Sequence, residues 1–161
     1  MKLTEKECTL LEDLKGQEKL CIEKYSKYAG EASDRQLTDL FRGIASVERQ
    51  HYETLSAIGE GKSAGTGGSS GNSASGSGSG STPLPQSFTK APSGTDAKTD
   101  AFLCSDLLST EKHASHLYDT CVFEFADTAV RQTLGHIQQE EQTHGKLLYD
   151  YMKANGMYEA N

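Results

Sequence analysis

Apolar residues recur at alternating steps of three and four along four stretches of this chain, the spacing of one buried face of a bundle helix. The first stripe is Leu11, Leu14, Glu18, Cys21, Tyr25 and Tyr28, and the second is Leu37, Phe41, Ile44, Glu48, His51, Leu55 and Ile58. The third is Cys104, Leu107, Glu111, Ala114, Tyr118, Cys121 and Phe125, and the fourth is Val130, Leu134, Ile137, Glu141, His144, Leu148 and Tyr151. The pattern predicts an all-α protein of four helices. Thr4 with Glu7 three residues on forms a capping-box pattern that starts the first helix, and Gly30 is expected to end it. Asp34 caps the second helix, which runs to about Ile58 before Gly59. The third is expected to start near Thr99 or Asp100 and to end near Phe125. Asp127 caps the fourth, which runs to about Asn155 before Gly156.

The segment from Gly59 to about Thr95 interrupts this periodicity. It is rich in Gly and Ser, with Pro83, Pro85 and Pro92 toward its end. Such a composition buries too little apolar surface to order itself, so the segment reads as a flexible crossover. A flexible chain of about 37 residues spans roughly 35 Å, about the length of a 23-residue helix. The expected organisation is one domain over residues 1–161. A helical hairpin at about 4–58, a crossover at about 59–98 and a second hairpin at about 99–155 make a four-helix bundle with one long crossover.

The stripes are apolar, aromatic or cysteine except at six positions, and each exception is a glutamate or a histidine: Glu18, Glu48, His51, Glu111, Glu141 and His144. They form two copies of one pattern, a lone Glu followed on the next helix by Glu-x-x-His. The lone Glu precedes the motif by 30 positions in both copies (48 − 18 and 141 − 111), and the copies are offset by 93 (111 − 18 and 144 − 51). The two caps repeat at the same offset (127 − 34). Glu18 and Glu48 stand 14 residues either side of the first hairpin turn (32 − 18 and 48 − 34), so both sit at one height. Glu111 and Glu141 do the same in the second (125 − 111 and 141 − 127). Docking the hairpins about a pseudo-two-fold axis brings four carboxylates and two imidazoles to mid-bundle, the ligand set for two metal ions. Metal-free, four buried carboxylates cost several kcal/mol each and repel one another, and no Lys or Arg lies on the stripes to offset them. Mixed carboxylate and imidazole ligands suit iron, manganese or zinc. Two iron ions are the favoured cofactor because an iron pair exchanges electrons with dioxygen or peroxide.

Charge narrows the partners. The 161 residues carry 16 Lys and Arg against 23 Asp and Glu, a net charge of −7. That balance excludes nucleic acid and anionic membrane as main partners, and no apolar run approaches the roughly 20 residues that span a bilayer. The charged start Met1-Lys2-Leu3-Thr4-Glu5-Lys6-Glu7 is not a signal peptide, so cytoplasmic synthesis is expected. None of the four cysteines stands in a Cys-x-x-Cys pair. They read as reduced thiols, with Cys21, Cys104 and Cys121 packing in the core. Tyr25 and Tyr118 each follow a lone Glu by seven residues on its stripe. They read as core aromatics, as hydrogen-bond donors to a ligand carboxylate of the opposite hairpin, or as redox-active phenols. His113, His116 and His136 fall off the stripes and are expected in solvent. Glu140, one position off the stripe, is expected to be silent.

The order Glu, Glu-x-x-His, Glu, Glu-x-x-His resembles the ferritin-like di-iron carboxylate superfamily, which includes rubrerythrins and ferritins. Ferritins resemble the chain also in a tyrosine seven residues after the first glutamate. The second half resembles the spore coat protein F-like family of endospore-forming bacteria. The similar stretches are Asp106-Leu107-Leu108-Ser109-Thr110-Glu111-Lys112, Val130-Arg131-Gln132-Thr133-Leu134, Glu140-Glu141-Gln142-Thr143-His144 and Met152-Lys153-Ala154-Asn155-Gly156-Met157-Tyr158, within about residues 100–158. These resemblances imply a ferritin-like bundle with a di-iron site, deposited in or near the spore coat among other coat proteins. They imply either a peroxide or oxygen reductase or ferroxidase, or a non-catalytic coat protein stabilised by its metals. The cysteine pairs of the rubredoxin-like site in rubrerythrins are absent, so catalysis would draw on an external electron donor. Helix 3 has Ala114 where rubrerythrins carry an additional glutamate. Only Gly156 to Asn161 follow helix 4, so a ferritin storage cage is not expected; a homodimer stays open.

Overall fold

The computed structural model describes residues 2–62 and 83–158. Four helices account for most of them: α1 (Glu5–Glu31), α2 (Arg35–Gly59), α3 (Ala97–Glu124) and α4 (Thr128–Ala154). Among the described residues there are no strands, and no helix is long and apolar enough to cross a membrane. α1 packs along α2 and α3 along α4, giving two hairpins. The hairpins meet through α1 against α3, and less closely through α2 against α4. Lys6 of α1 reaches Glu124 at the end of α3, and Lys24 reaches Asp106 near its start, so these helices run antiparallel. The chain leaves α2 at one end of the bundle and enters α3 at the other, as a long crossover requires.

The stripes face inward as their spacing requires. All the positions read for α2, α3 and α4 are buried. In α1, Tyr28 is only partly buried, and its hydroxyl turns to Asp106 Oδ2 at 2.7 Å, while Ala29 takes the core position. The apolar side chains form two clusters. One, around Tyr25, Phe41, Leu107 and Tyr151, lies toward the α1–α2 turn. The other, around Leu14, Leu55, Tyr118 and Leu134, lies toward the α3–α4 turn. The Glu and His residues sit between them.

Helix ends follow local chemistry. Thr4 and Glu7 form the expected capping box, and Asp34 and Asp127 cap α2 and α4 through their carboxylates. Gly30 lies inside α1, not beyond it. The helix continues to Glu31, and Ala32 turns the chain in extended geometry (φ −62°, ψ 135°), so no left-handed glycine is needed. α3 starts two or three residues earlier than expected because Asp96 is its cap, accepting from the Thr99 amide. That frees Asp100 for a longer-range task. Its two carboxylate oxygens accept from the Ser33 and Asp34 amides at 2.7 and 3.0 Å, pinning the α1–α2 turn to the start of α3. Glu7 performs the reciprocal task, accepting from the Ala126 amide of the α3–α4 turn at 2.9 Å. Both donor and acceptor keep the offset of 93 (100 − 7 and 126 − 33).

The crossover differs from expectation in its last part. Residues 83–96 lie against the bundle, while residues 63–82 fall outside the described ones. Leu84 and Phe88 pack on the core cluster near Tyr151, and the Phe88 ring meets Tyr151 edge-on at 5.5 Å between centroids. The Thr89 amide donates to Gln36 of α2 and the Ala91 amide to Asn155 at the end of α4. This strap ties α2 to α4 where the two helices approach less closely. Two apolar residues four apart among prolines carry no helical or strand periodicity, which is why the reading of a uniform flexible tract missed them.

Two outcomes are expected. Phe88→Ala should lower the free energy of unfolding by about 1–2 kcal/mol, the cost of a half-buried aromatic, as read by urea denaturation; a free linker would show no change. Glu7 has its pKa held below the ordinary 4.5, first by the Ala126 amide and then by the Thr4 amide. The unfolded state therefore takes up the proton first, and the stabilisation is present above pH 4.5 and lost as pH falls through the folded-state pKa. The stability difference between wild type and Glu7→Gln should shrink on acidification through that range.

Candidate metal centre

A histidine three residues after a glutamate lies nearly one turn on and faces the same way. α2 thus presents Glu48 and His51 together, and α4 presents Glu141 and His144. α1 and α3 contribute Glu18 and Glu111 at the same height. All six side chains converge, and none is more than 3 % exposed. They form two overlapping groups, Glu18, Glu48, His51 and Glu141 in one, and Glu48, Glu111, Glu141 and His144 in the other. Within each group one donor atom per residue lies within 4.8 Å of the others. Glu48 and Glu141 belong to both groups. Glu48 turns Oε2 to His51 Nδ1 at 3.0 Å and Oε1 to His144 Nδ1 at 3.2 Å. Glu141 turns Oε1 to His51 at 3.4 Å and Oε2 to His144 at 3.2 Å. Glu18 stands 3.7 Å from His51 Nδ1 and Glu111 3.5 Å from His144 Nδ1. The imidazole rings lie nearly parallel with centroids 5.9 Å apart.

The tyrosines knit the hairpins. The Tyr25 hydroxyl of α1 donates to Glu111 of α3, and the Tyr118 hydroxyl of α3 donates to Glu18 of α1. Each phenol is fully buried, and its pKa is raised first by burial and then by the facing carboxylates, so both remain protonated donors. One oxygen of each glutamate lacks any hydrogen-bond partner: Glu18 Oε2, Glu48 Oε1, Glu111 Oε2 and Glu141 Oε1. The four obey the offset of 93, so the same atom is left over on each side.

Electrostatics divide the carboxyls into two kinds. Burial, opposed by a hydrogen bond with His51 and reinforced by the charges of Glu48 and Glu141, pushes Glu18 up to about 9. Burial likewise lifts Glu111 well above the carboxylate range. Burial works against charge on Glu48 and Glu141 too, but hydrogen bonds from His144 and His51 overcome it and hold both below the ordinary value. For His51, burial opposes the imidazolium, yet hydrogen bonds to Glu140, Glu141, Glu18 and Glu48 raise its pKa. His144 is raised in the same way by Glu111, Glu141 and Glu48. Without metal the cavity is therefore near neutral, with two carboxylates against two imidazoliums and two neutral carboxyls.

Glu140 is the residue that the stripes missed. Its Oε2 accepts from His51 Nε2 at 2.9 Å, on the far side of the ring from the cavity, and its side chain is 39 % exposed. His136, 69 % exposed, stands 3.7 Å from the same oxygen. A helical stripe sorts the residues of one helix by direction and is blind to a rim residue that reaches across to the next. Cys21, Cys104 and Cys121 are buried free thiols and Cys8 is exposed. Burial raises the three core thiols, Cys121 to about 11, which keeps them protonated.

The donor set fits a pair of divalent ions. Four carboxylates and two imidazole Nδ1 atoms point inward, and each glutamate brings one oxygen that the protein itself leaves unpartnered. Buried polar atoms of native proteins are overwhelmingly hydrogen-bonded. Of these four oxygens, three have only a His Nδ1 at 3.2 to 3.7 Å, outside hydrogen-bond geometry, and Glu111 Oε2 has no partner, which leaves acceptors available to an ion.

Comparison with known proteins bears on α3 and α4. Residues 99–161 match the Coat F domain family, the same stretch in which the sequence resembles spore coat protein F. No curated protein and no solved structure matches the chain. The match spans the second hairpin and supports association of this protein with the spore coat.

Proposed function

We propose that this is a ferritin-like di-metal carboxylate protein of the spore coat, with iron as the favoured metal and manganese or zinc as alternatives. The four unpartnered, buried glutamate oxygens carry the reading. Glu18 and His51 would serve one ion, Glu111 and His144 the other, and Glu48 and Glu141 both. When bound, an iron pair would supply electron transfer to peroxide or dioxygen, the electrons being replaced by an external donor in a reductase or by ferrous iron in a ferroxidase. The protein's own groups do the rest. Tyr25 and Tyr118 hold Glu111 and Glu18 in place, and the two apolar clusters exclude water above and below. The complete burial of the six side chains favours a second reading, in which the metals cross-link the hairpins and nothing turns over. Rapid oxidation of the ferrous-loaded protein by peroxide, lost in Glu141→Ala, would support the first. Loaded protein inert to peroxide but strongly stabilised by its metal would support the second.

Proton release is a sharp test of the site. Ligands must be deprotonated to bind metal. Near neutrality Glu18, Glu111, His51 and His144 each hold a proton that an ion would displace. Binding two divalent ions should therefore release about four protons per chain, measured by titration in buffers of different ionisation enthalpy. Release of fewer than about two would mean that the cluster is not the site.

Stability follows with the opposite sign to Glu7. In the metal-free protein these four groups have folded-state pKa values above their unfolded ones. The native state then binds more protons, and stability falls as pH rises above the ordinary values of 4.5 for Glu and 6.5 for His. Chelated protein should melt at progressively lower temperature from pH 6 to pH 9, and metal-loaded protein far less so. Identical profiles with and without chelator would contradict the reading.

A further inference from the structure

The offset of 93 governs the centre almost completely, and it fails at one contact. His51 Nε2 donates to Glu140. Applying the offset to Glu140 gives Val47 (140 − 93), a side chain with no acceptor. Among the described residues, every carboxylate within 4 Å of His144 faces its Nδ1, and none reaches its Nε2. The neighbouring positions diverge in the same sense. His136, beside Glu140, corresponds to Gly43 (136 − 93). Leu84 of the strap lies over Gly43, its Cδ2 2.9 Å from where a Cβ would stand. One flank of the centre is thus polar and reaches solvent through Glu140 and His136, whereas the equivalent positions on α2 carry Val47 and Gly43, with Leu84 over Gly43.

A neutral imidazole carries one N–H, and the partner of one nitrogen decides the role of the other. A carboxylate at Nε2 keeps the proton there. Once an ion displaces the Nδ1 proton of His51, the lone pair it uncovers already faces Glu18, Glu48 and Glu141, with the ring held from behind. His144 has no carboxylate at Nε2, so nothing of that charge holds the remaining proton there when Nδ1 gives up its own to an ion. We propose that the two positions are inequivalent and fill in order: Glu18, Glu48, His51 and Glu141 take the first ion, and Glu111 and His144 complete the second position afterwards. Glu140 is the positioning residue that sets this order. The inference rests on the two-metal reading.

Calorimetric titration of the full chain with zinc(II), which needs no redox partner, tests it alongside NMR of the ¹⁵N-labelled histidines. Wild type should bind two ions in two resolved steps, with the His51 signals moving at the first equivalent and those of His144 at the second. Glu140→Ala should weaken the tighter step 10- to 100-fold, the usual effect of removing an outer carboxylate from a ligand histidine, so that the two steps merge. Glu140→Gln, which keeps an acceptor without the charge, should fall between. Val47→Glu, which supplies the missing counterpart, should tighten the weaker step. Two ions in wild type with unchanged constants in Glu140→Ala would overturn the loading order alone, as would His144 responding first. Wild type that takes up no zinc at the histidines would overturn the two-metal reading and the order with it.

Discussion

Four carboxylates in the middle of a helical bundle are the constraint around which this protein is built. Ionised and alone, each would cost several kcal/mol, and together they repel. The fold answers with neutrality. Two glutamates face two imidazoliums, two are kept as neutral carboxyls by burial, and a tyrosine of the opposite hairpin donates to each of the latter. Exchanging four protons for two divalent ions would leave that balance unchanged. On the proposed reading a metal pair would suit the cavity, and the same neutrality lets the cavity persist without one.

The reciprocal contacts explain how two hairpins find one register. Tyr25 with Glu111 and Tyr118 with Glu18 lock the centre. Glu7 with Ala126 and Asp100 with Ser33 lock the two ends. A slide of one hairpin by a helical turn would break all four at once and leave buried polar groups unpaired, each a penalty of about 1–3 kcal/mol. Apolar clusters supply most of the driving force but tolerate slippage; the polar contacts make the register unique.

Much of this was legible in the residues because bundle helices impose one period on both packing and chemistry. The stripes located most of the core, though not Leu40, Leu103, Leu147 or Met152. They brought Glu18, Glu48, His51, Glu111, Glu141 and His144 to one face, and the structure brings those six together. What escaped lies where that period gives no information. Glu140 acts across a helix–helix boundary from a rim position. Asp100 stands near the expected start of its own helix, yet it caps a turn of the other hairpin. Leu84 and Phe88 bind an extended strap through isolated side chains. Gly30 suggested a helix stop that the turn did not need, because Ala32 reverses the chain in ordinary extended geometry. The offset of 93 contained part of this, since Glu7 and Asp100 are acids in equivalent positions outside the stripes.

Native mass spectrometry of the chain refolded anaerobically with ferrous iron tests the central claim most directly. Wild type should carry two ions, and Glu48→Ala and Glu141→Ala should behave alike, each losing at least one, because both carboxylates belong to both positions. A wild type that carries none, or two variants that both retain two ions, would contradict a shared di-metal centre at the meeting of the hairpins.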